Sequence, residues 1–218
     1  MSLELSIGEA EAFAWKAARA SGYSWGMAEE AAYSVGYLEM RGLPGLMSLV
    51  QLLDRTTESL IAARAAATGL KSGEMACPIT TGVHLADVCG TEAPITRALP
   101  SLYAPWLLLP FIARIAGNGG THVLVHLDNI AWHCTVTGEP DVASAHPIAY
   151  GHQVLIEQAS NAEGVVTPTK QALGQHVQRA RVSRGQLEVL EGLAHQTYVP
   201  ASEESRLRGA GAGLTDND

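Results

Sequence analysis

Two alternating runs, His122–Leu127 and Ile130–Val136, joined only by Asp128-Asn129, constrain this chain more than any other feature. Asp and Asn both tolerate positive φ, so a two-residue turn pairs Leu127 with Ile130 and sets every later pair: His126 with Ala131, Leu124 with His133, and His122 with Thr135. Side chains alternate across a pleat, which puts Val123, Val125, Leu127, Ile130, Trp132 and Cys134 on one apolar face. His122, His126 and His133 fall on the other. The chain must therefore build an antiparallel sheet with a core on one side and imidazoles on the far side.

His133 sits diagonal to both His122 and His126, at the roughly 7–8 Å spacing of such neighbours on a sheet face. The three form a candidate ligand set for a divalent metal such as zinc, with His84, Asp87 and Asp141 as further donors from elsewhere in the chain. A water activated on that ion would make the protein a metal-dependent hydrolase. The competing reading is a polar face whose histidines hydrogen-bond backbone and water.

Nearly half of the 218 residues are hydrophobic (47%) and 17% are charged, the balance of a globular protein. A net charge of −8 with only three lysines excludes broad nucleic-acid binding, which needs clustered cations against phosphates. The opening Met-Ser-Leu-Glu-Leu-Ser reads as no secretory signal, and no run approaches the ~20 apolar residues of a membrane span. The longest apolar candidate, Trp106–Ile115, is broken by Pro110 and Arg114. Cys77, Cys89 and Cys134 are odd in number and lack a C-x-x-C spacing, which points to reduced thiols and a bacterial-type cytoplasm.

Residues 1–70 read as a helical layer. Ile7, Ala10, Ala14, Ala17 and Ala18 form a first stripe stopped by Ser21-Gly22. Ser24 caps a second helix with Met27, Ala31, Val35 and Leu38 inward, ended by Gly42. Pro44 opens a third with Leu46, Leu49, Val50 and Leu53 buried, and an Ala-rich segment runs from Ser59 to Ala67. Residues 71–218 read as a sheet-rich region continuous with the first in one domain. One or two short strands are expected over 75–89, and Pro94, Pro100, Pro105 and Pro110 predict loops or short turns rather than a long helix. Gly117–Gly120 is expected as a turn, with strands to follow over 142–149, 153–158 and 177–183. Ser183 caps a late helix with Leu187, Leu190, Leu193 and Ala194 on its stripe. The expected fold class is α+β, an N-terminal helical layer packed on a mainly antiparallel sheet.

Arg179, Arg181 and Arg184, with His176 nearby, are the one compact basic cluster in the sequence. If Arg179 and Arg181 share a strand face, their guanidinium forks can grip a carboxylate or phosphate, so a small anionic ligand is the candidate partner. The run Gly209–Gly213 lacks the spacing of a dinucleotide fingerprint and reads as a flexible tail. Ser202 offers a further helix cap. No serine lies in a G-x-S-x-G elbow, and the cysteines read as inert.

Two stretches, Ala17–Glu30 with Arg41–Leu46, and Thr197–Glu203 running into the glycine-rich tail, resemble an uncharacterised bacterial family of unknown function, a resemblance that implies no activity. The first stretch is also loosely similar to the opening helices of the type-2 malate/L-lactate dehydrogenase family. There a Gly-x-x-Ser-His-Gly segment supplies a catalytic histidine. Here Gly42-Leu43-Pro44-Gly45 stands in its place, so neither a catalytic residue nor a nicotinamide cofactor is carried over.

A sizeable core is specified and a complete catalytic constellation is not. The leading expectation is a non-catalytic or accessory small-molecule-binding protein that is a candidate homo-oligomer. The metal-dependent hydrolase is one alternative. A subunit of a larger complex, with Trp106–Phe111 as its apolar contact, is another.

Overall fold

The computed structural model describes residues 2–54, 75–89, 96–128, 130–142, 146–159 and 176–197. The expected Ala-rich segment after Ser59, the Ser202 cap and the glycine-rich tail lie outside the described residues.

The chain opens with a strand that the periodicity did not predict, β1 (Ser2–Ser6), and enters α1 (Ile7–Ala20) through a capping box. The backbone N–H of Glu9 donates to the Ser6 hydroxyl at 3.2 Å, and the N–H of Ser6 donates to the Glu9 carboxylate at 2.7 Å. Ala10, Ala14, Ala17 and Ala18 are all buried. They face α2 (Trp25–Met40), whose Ala28 and Ala31 are buried too. Small side chains on both surfaces let the two backbones approach closely. Ser24 caps α2 as its position implied, accepting from the Met27 N–H at 3.4 Å. Gly42, at φ 68, turns the chain into α3 (Gly45–Leu53), which buries Leu46, Leu49, Leu52 and Leu53.

Residues 78–89 depart from expectation. They form α4 (Pro78–Cys89) rather than strands. Ile79, Thr80 and Thr81 favour strand by local preference, but Pro78 occupies the first helical position, where a missing N–H costs nothing. Ile79, Gly82 and Leu85 then share the buried face. The proline-spaced stretch is also more regular than expected. Pro105 opens a 3-10 turn over Pro105–Leu108, and Pro110 lies in the first turn of α5 (Leu109–Gly119). Gly117–Gly119, expected in a turn, are instead the end of that helix, and Gly120 closes it at φ 57. Ala substituted at Gly82 would bring its Cβ into steric overlap with the ring edge of fully buried Phe111. Gly82→Ala is expected to lower stability by about 1–3 kcal/mol in urea denaturation, the range for overpacking a filled core. An unchanged midpoint would show that α4 and α5 are not packed this way.

The main sheet has five antiparallel strands in the order β2-β8-β4-β5-β6: β2 (Thr96–Leu99), β8 (Val154–Ala159), β4 (His122–Leu127), β5 (Ile130–Cys134) and β6 (Pro140–Val142). Two ribbons flank it. One pairs β1 with β9 (Arg179–Ser183), and the other pairs β3 (Leu102–Tyr103) with β7 (Tyr150–Gly151). The last helix, α6 (Arg184–His195), starts at Ser183 with a second capping box and buries Leu190 and Ala194. The fold is α+β: the helices bury their stripes largely against one another, and α5 packs on the apolar face of a mainly antiparallel sheet.

The β4–β5 hairpin has the register its sequence implies, with Leu127 opposite Ile130, His126 opposite Ala131 and Leu124 opposite His133. Asp128 takes positive φ at 51 in the turn. Its carboxylate also accepts the N–H groups of His152 and Gln153, at 3.2 and 3.0 Å, tying the turn to the start of β8. Asp128→Ala forfeits both bonds and keeps the strained φ, for an expected loss of about 1–2 kcal/mol. Asp128→Gly, which relaxes the backbone, should lose less, and equal losses would remove the role of φ.

Val123, Val125, Trp132 and Cys134 are buried beneath α5. Trp132 stacks on Trp106 with ring centroids 4.7 Å apart, and the Trp106 indole N–H donates to the His146 carbonyl at 2.9 Å. The run Trp106–Phe111 thus belongs to the chain's own core. Among the described residues, no helix is long and apolar enough to cross a membrane.

Candidate functional site

Alternation along β9 buries Ala180 and Val182 and turns Arg179 and Arg181 outward on the same side. Both arginines line a cleft of about 730 Å³ between the β1–β9 ribbon, the α2–α3 loop and the start of α6. Residues two apart on a strand stand about 6.7 Å apart along the backbone, within reach of two long side chains closing on one anion. Gln178 and Gln186 add carboxamides. The capping box fixes the orientation of Gln186: its Oε1 accepts the Ser183 N–H at 2.9 Å, which leaves its amide hydrogens as donors. Arg184, the third member of the basic cluster, pairs with Glu188 one turn along α6 at 3.1 Å.

Two carboxylates share the cleft, Glu4 and Glu39. Glu4 lies opposite Arg181 in the ribbon, 3.8 Å from its Nε, and both are largely solvent-exposed. Glu39 is only 7% exposed. Its Oε1 accepts the Leu46 N–H at 2.8 Å, supplying the helix cap that Pro44 cannot provide to α3. Burial lifts its carboxyl to about 7, against the opposing pull of the Leu46 and Gly45 N–H groups. With Glu39 protonated, the two arginines outweigh Glu4 by one charge. Sequence reasoning singled out the two arginines as candidates and did not single out Glu39. The available signal was an acid one turn beyond Val35, beside Leu38 on the buried face of α2, immediately ahead of the Gly42–Pro44 loop.

The three histidines share the second face of the sheet, as the alternation requires. They do not converge. Nδ1 of His122 and Nε2 of His133 are hydrogen-bonded at 2.9 Å with the rings stacked, whereas Nε2 of His126 turns the other way, to Glu157 Oε2 on β8 at 3.1 Å. Leu124 lies between the two pairs, buried but apart from the main core. Burial and the neighbouring His122 lower the pKa of His133, opposed by Asp141, its register partner on β6. His84 and Asp87 belong to α4, which packs on α2, α5 and the 3-10 turn. Among the described residues, no three His, Cys, Asp or Glu side chains are grouped closely enough to hold one ion.

Cys77 and Cys134 are buried free thiols. Cys77 shares a hydrogen bond with the Tyr23 hydroxyl at 3.1 Å, and burial raises the Cys134 thiol far above its ordinary range. Neither is poised to act as a nucleophile.

Residues 5–92 match a family model described as a protein of unknown function (DUF3726). The match covers most of β1, the three N-terminal helices and α4, and stops short of the main sheet. No curated protein and no solved structure matches the chain.

Proposed function

We propose that this protein binds a small anionic molecule, a carboxylate or a phosphate ester, in the cleft lined by Arg179 and Arg181. The observation that carries the reading is two guanidinium groups on one strand face over a cleft whose volume falls in the ~300–1,000 Å³ range of small-molecule sites. Each fork donates two parallel hydrogen bonds to such a group. Gln186, oriented by its capping role, supplies amide hydrogens beside them. Glu4 stands 3.8 Å from Arg181 across the ribbon, and a bound anion competes with it for that side chain.

Of the two carboxylates lining the cleft, Glu39 is engaged as the cap of α3 and Glu4 faces Arg181, which supports binding rather than turnover. Metal-assisted hydrolysis is less well supported, because His126 is engaged with Glu157 and not with the other two imidazoles.

The reading is tested with inorganic phosphate and succinate as probes. Either anion, at concentrations well above its Kd, should raise the melting temperature of the protein by linkage, at constant ionic strength and with chloride as control. Arg179→Ala and Arg181→Ala should each weaken binding by about tenfold or more, the worth of a charge-assisted hydrogen bond at about 1.5–3 kcal/mol. Thermal shifts that are equal in the parent and in the Arg179→Ala, Arg181→Ala double variant would refute the assignment.

A further inference from the structure

A hydrogen bond between two neutral imidazoles carries one proton, so one ring donates and the other accepts. Between Nδ1 of His122 and Nε2 of His133 the surroundings decide which. His133 is 4% exposed, and its Nδ1 is buried without a hydrogen-bond partner. The register places Asp141 directly across from His133 on the edge strand. An anion on that side favours an N–H on Nδ1, because a lone pair there would add repulsion to an already unsatisfied buried atom. With its hydrogen on Nδ1, His133 can only accept at Nε2. His122 must then donate from Nδ1, which leaves its own Nε2 as a bare lone pair. That nitrogen has no hydrogen-bond partner among the described residues.

We propose that His122 is a ligand-binding base whose tautomer is set by His133, and that its Nε2 accepts a hydrogen from a hydroxyl or ammonium group of a bound molecule. His133 is a positioning residue: it touches no ligand, and it fixes which nitrogen of His122 is open, as the second hydrogen bond of an imidazole generally does. Leu124, next inward on the same strand face, gives the site an apolar side that strengthens such a contact.

The test is the ring-nitrogen NMR spectrum of the 15N-labelled protein at pH 8, with His122 identified by the signals lost in His122→Gln. The expected result is a protonated Nδ1 and an unprotonated Nε2 on His122. In His133→Phe the acceptor is gone and His122 should shift toward the Nε2–H form. In His133→Gln a carboxamide oxygen can still accept, and the Nδ1–H form should be retained, an outcome that a purely steric role for His133 does not produce. A protonated Nε2 on His122 in the unaltered protein overturns the proposal even if His133→Phe fails to fold. So does a tautomer that is the same in the unaltered protein and in His133→Phe. Diethyl pyrocarbonate, which acylates bare imidazole nitrogens, should modify His122 ahead of His133. If the folded protein leaves His122 unmodified, its lone pair is closed to ligands and the binding role fails.

Discussion

Trp106→Ala is expected to lower the unfolding free energy by about 3–5 kcal/mol, the range for truncating a buried tryptophan. The indole is fully buried, stacks on Trp132 and donates to the His146 carbonyl, so the substitution removes packing, an aromatic pair and a buried hydrogen bond together. It also reports on how the chain is organised. Trp106 lies on the 3-10 turn, which packs against α2, α3, α4 and α5, while Trp132 belongs to the central region of the sheet. We propose that the helical layer and the sheet-rich region form one continuous domain held together at this stacked pair. Urea unfolding followed by far-UV circular dichroism and by tryptophan fluorescence should then give one coincident transition, displaced to lower denaturant as a whole in Trp106→Ala. Two separated transitions, only one of which moves, would divide the chain into independent units.

The second large effect concerns Glu39 and pH. Its folded carboxyl, at about 7, stands above the ordinary value of 4.5, so the folded state holds a proton that the unfolded chain releases across that interval. The stability tied to this proton is fully present below about pH 4.5 and is lost as pH rises through about 7. At about 1.4 kcal/mol per pH unit the loss is about 3 kcal/mol at alkaline pH. Glu39→Gln keeps an oxygen to accept the Leu46 N–H and has nothing to ionise. The variant and the parent should be about equally stable near pH 4.5, with the variant gaining by up to about 3 kcal/mol at pH 8–9. Stability curves that run parallel across this range would show that Glu39 is not held in a desolvated site.

The parts of the fold that were legible in the sequence are those where one local signal meets no competitor. The β4–β5 register followed from period-two alternation and a turn pair tolerant of positive φ, and Asp128 takes that φ. The starts of α2 and α6 followed from the Ser24 and Ser183 caps, and the extent of α1 from its alanine stripe and the Ser21-Gly22 stop. Residues 78–89 are helical where short apolar runs between Pro78 and Gly82 suggest strands, because Pro78 opens the helix and Gly82 faces Phe111 on its buried side. β1 was missed because Leu-Glu-Leu-Ser is short, and its partner is β9, far along the chain.

The candidate site divides in the same way. Arg179 and Arg181 lie at alternate positions of one strand, so their common face is a local property. Their cleft is not, because it needs the α2–α3 loop and the ribbon to meet. The shared histidine face was legible. The choice of partners was not, because His126 turns to Glu157 and β8 takes its place beside β4 only in the folded sheet.

The claim that an anion is held between two arginines can be tested by direct observation. Crystals grown without phosphate or sulfate and soaked in sodium selenate should give an anomalous difference peak within hydrogen-bond distance of the Arg179 and Arg181 guanidinium groups, and none in Arg179→Ala, Arg181→Ala crystals. Selenate bound elsewhere on the molecule while the cleft stays empty would contradict the account.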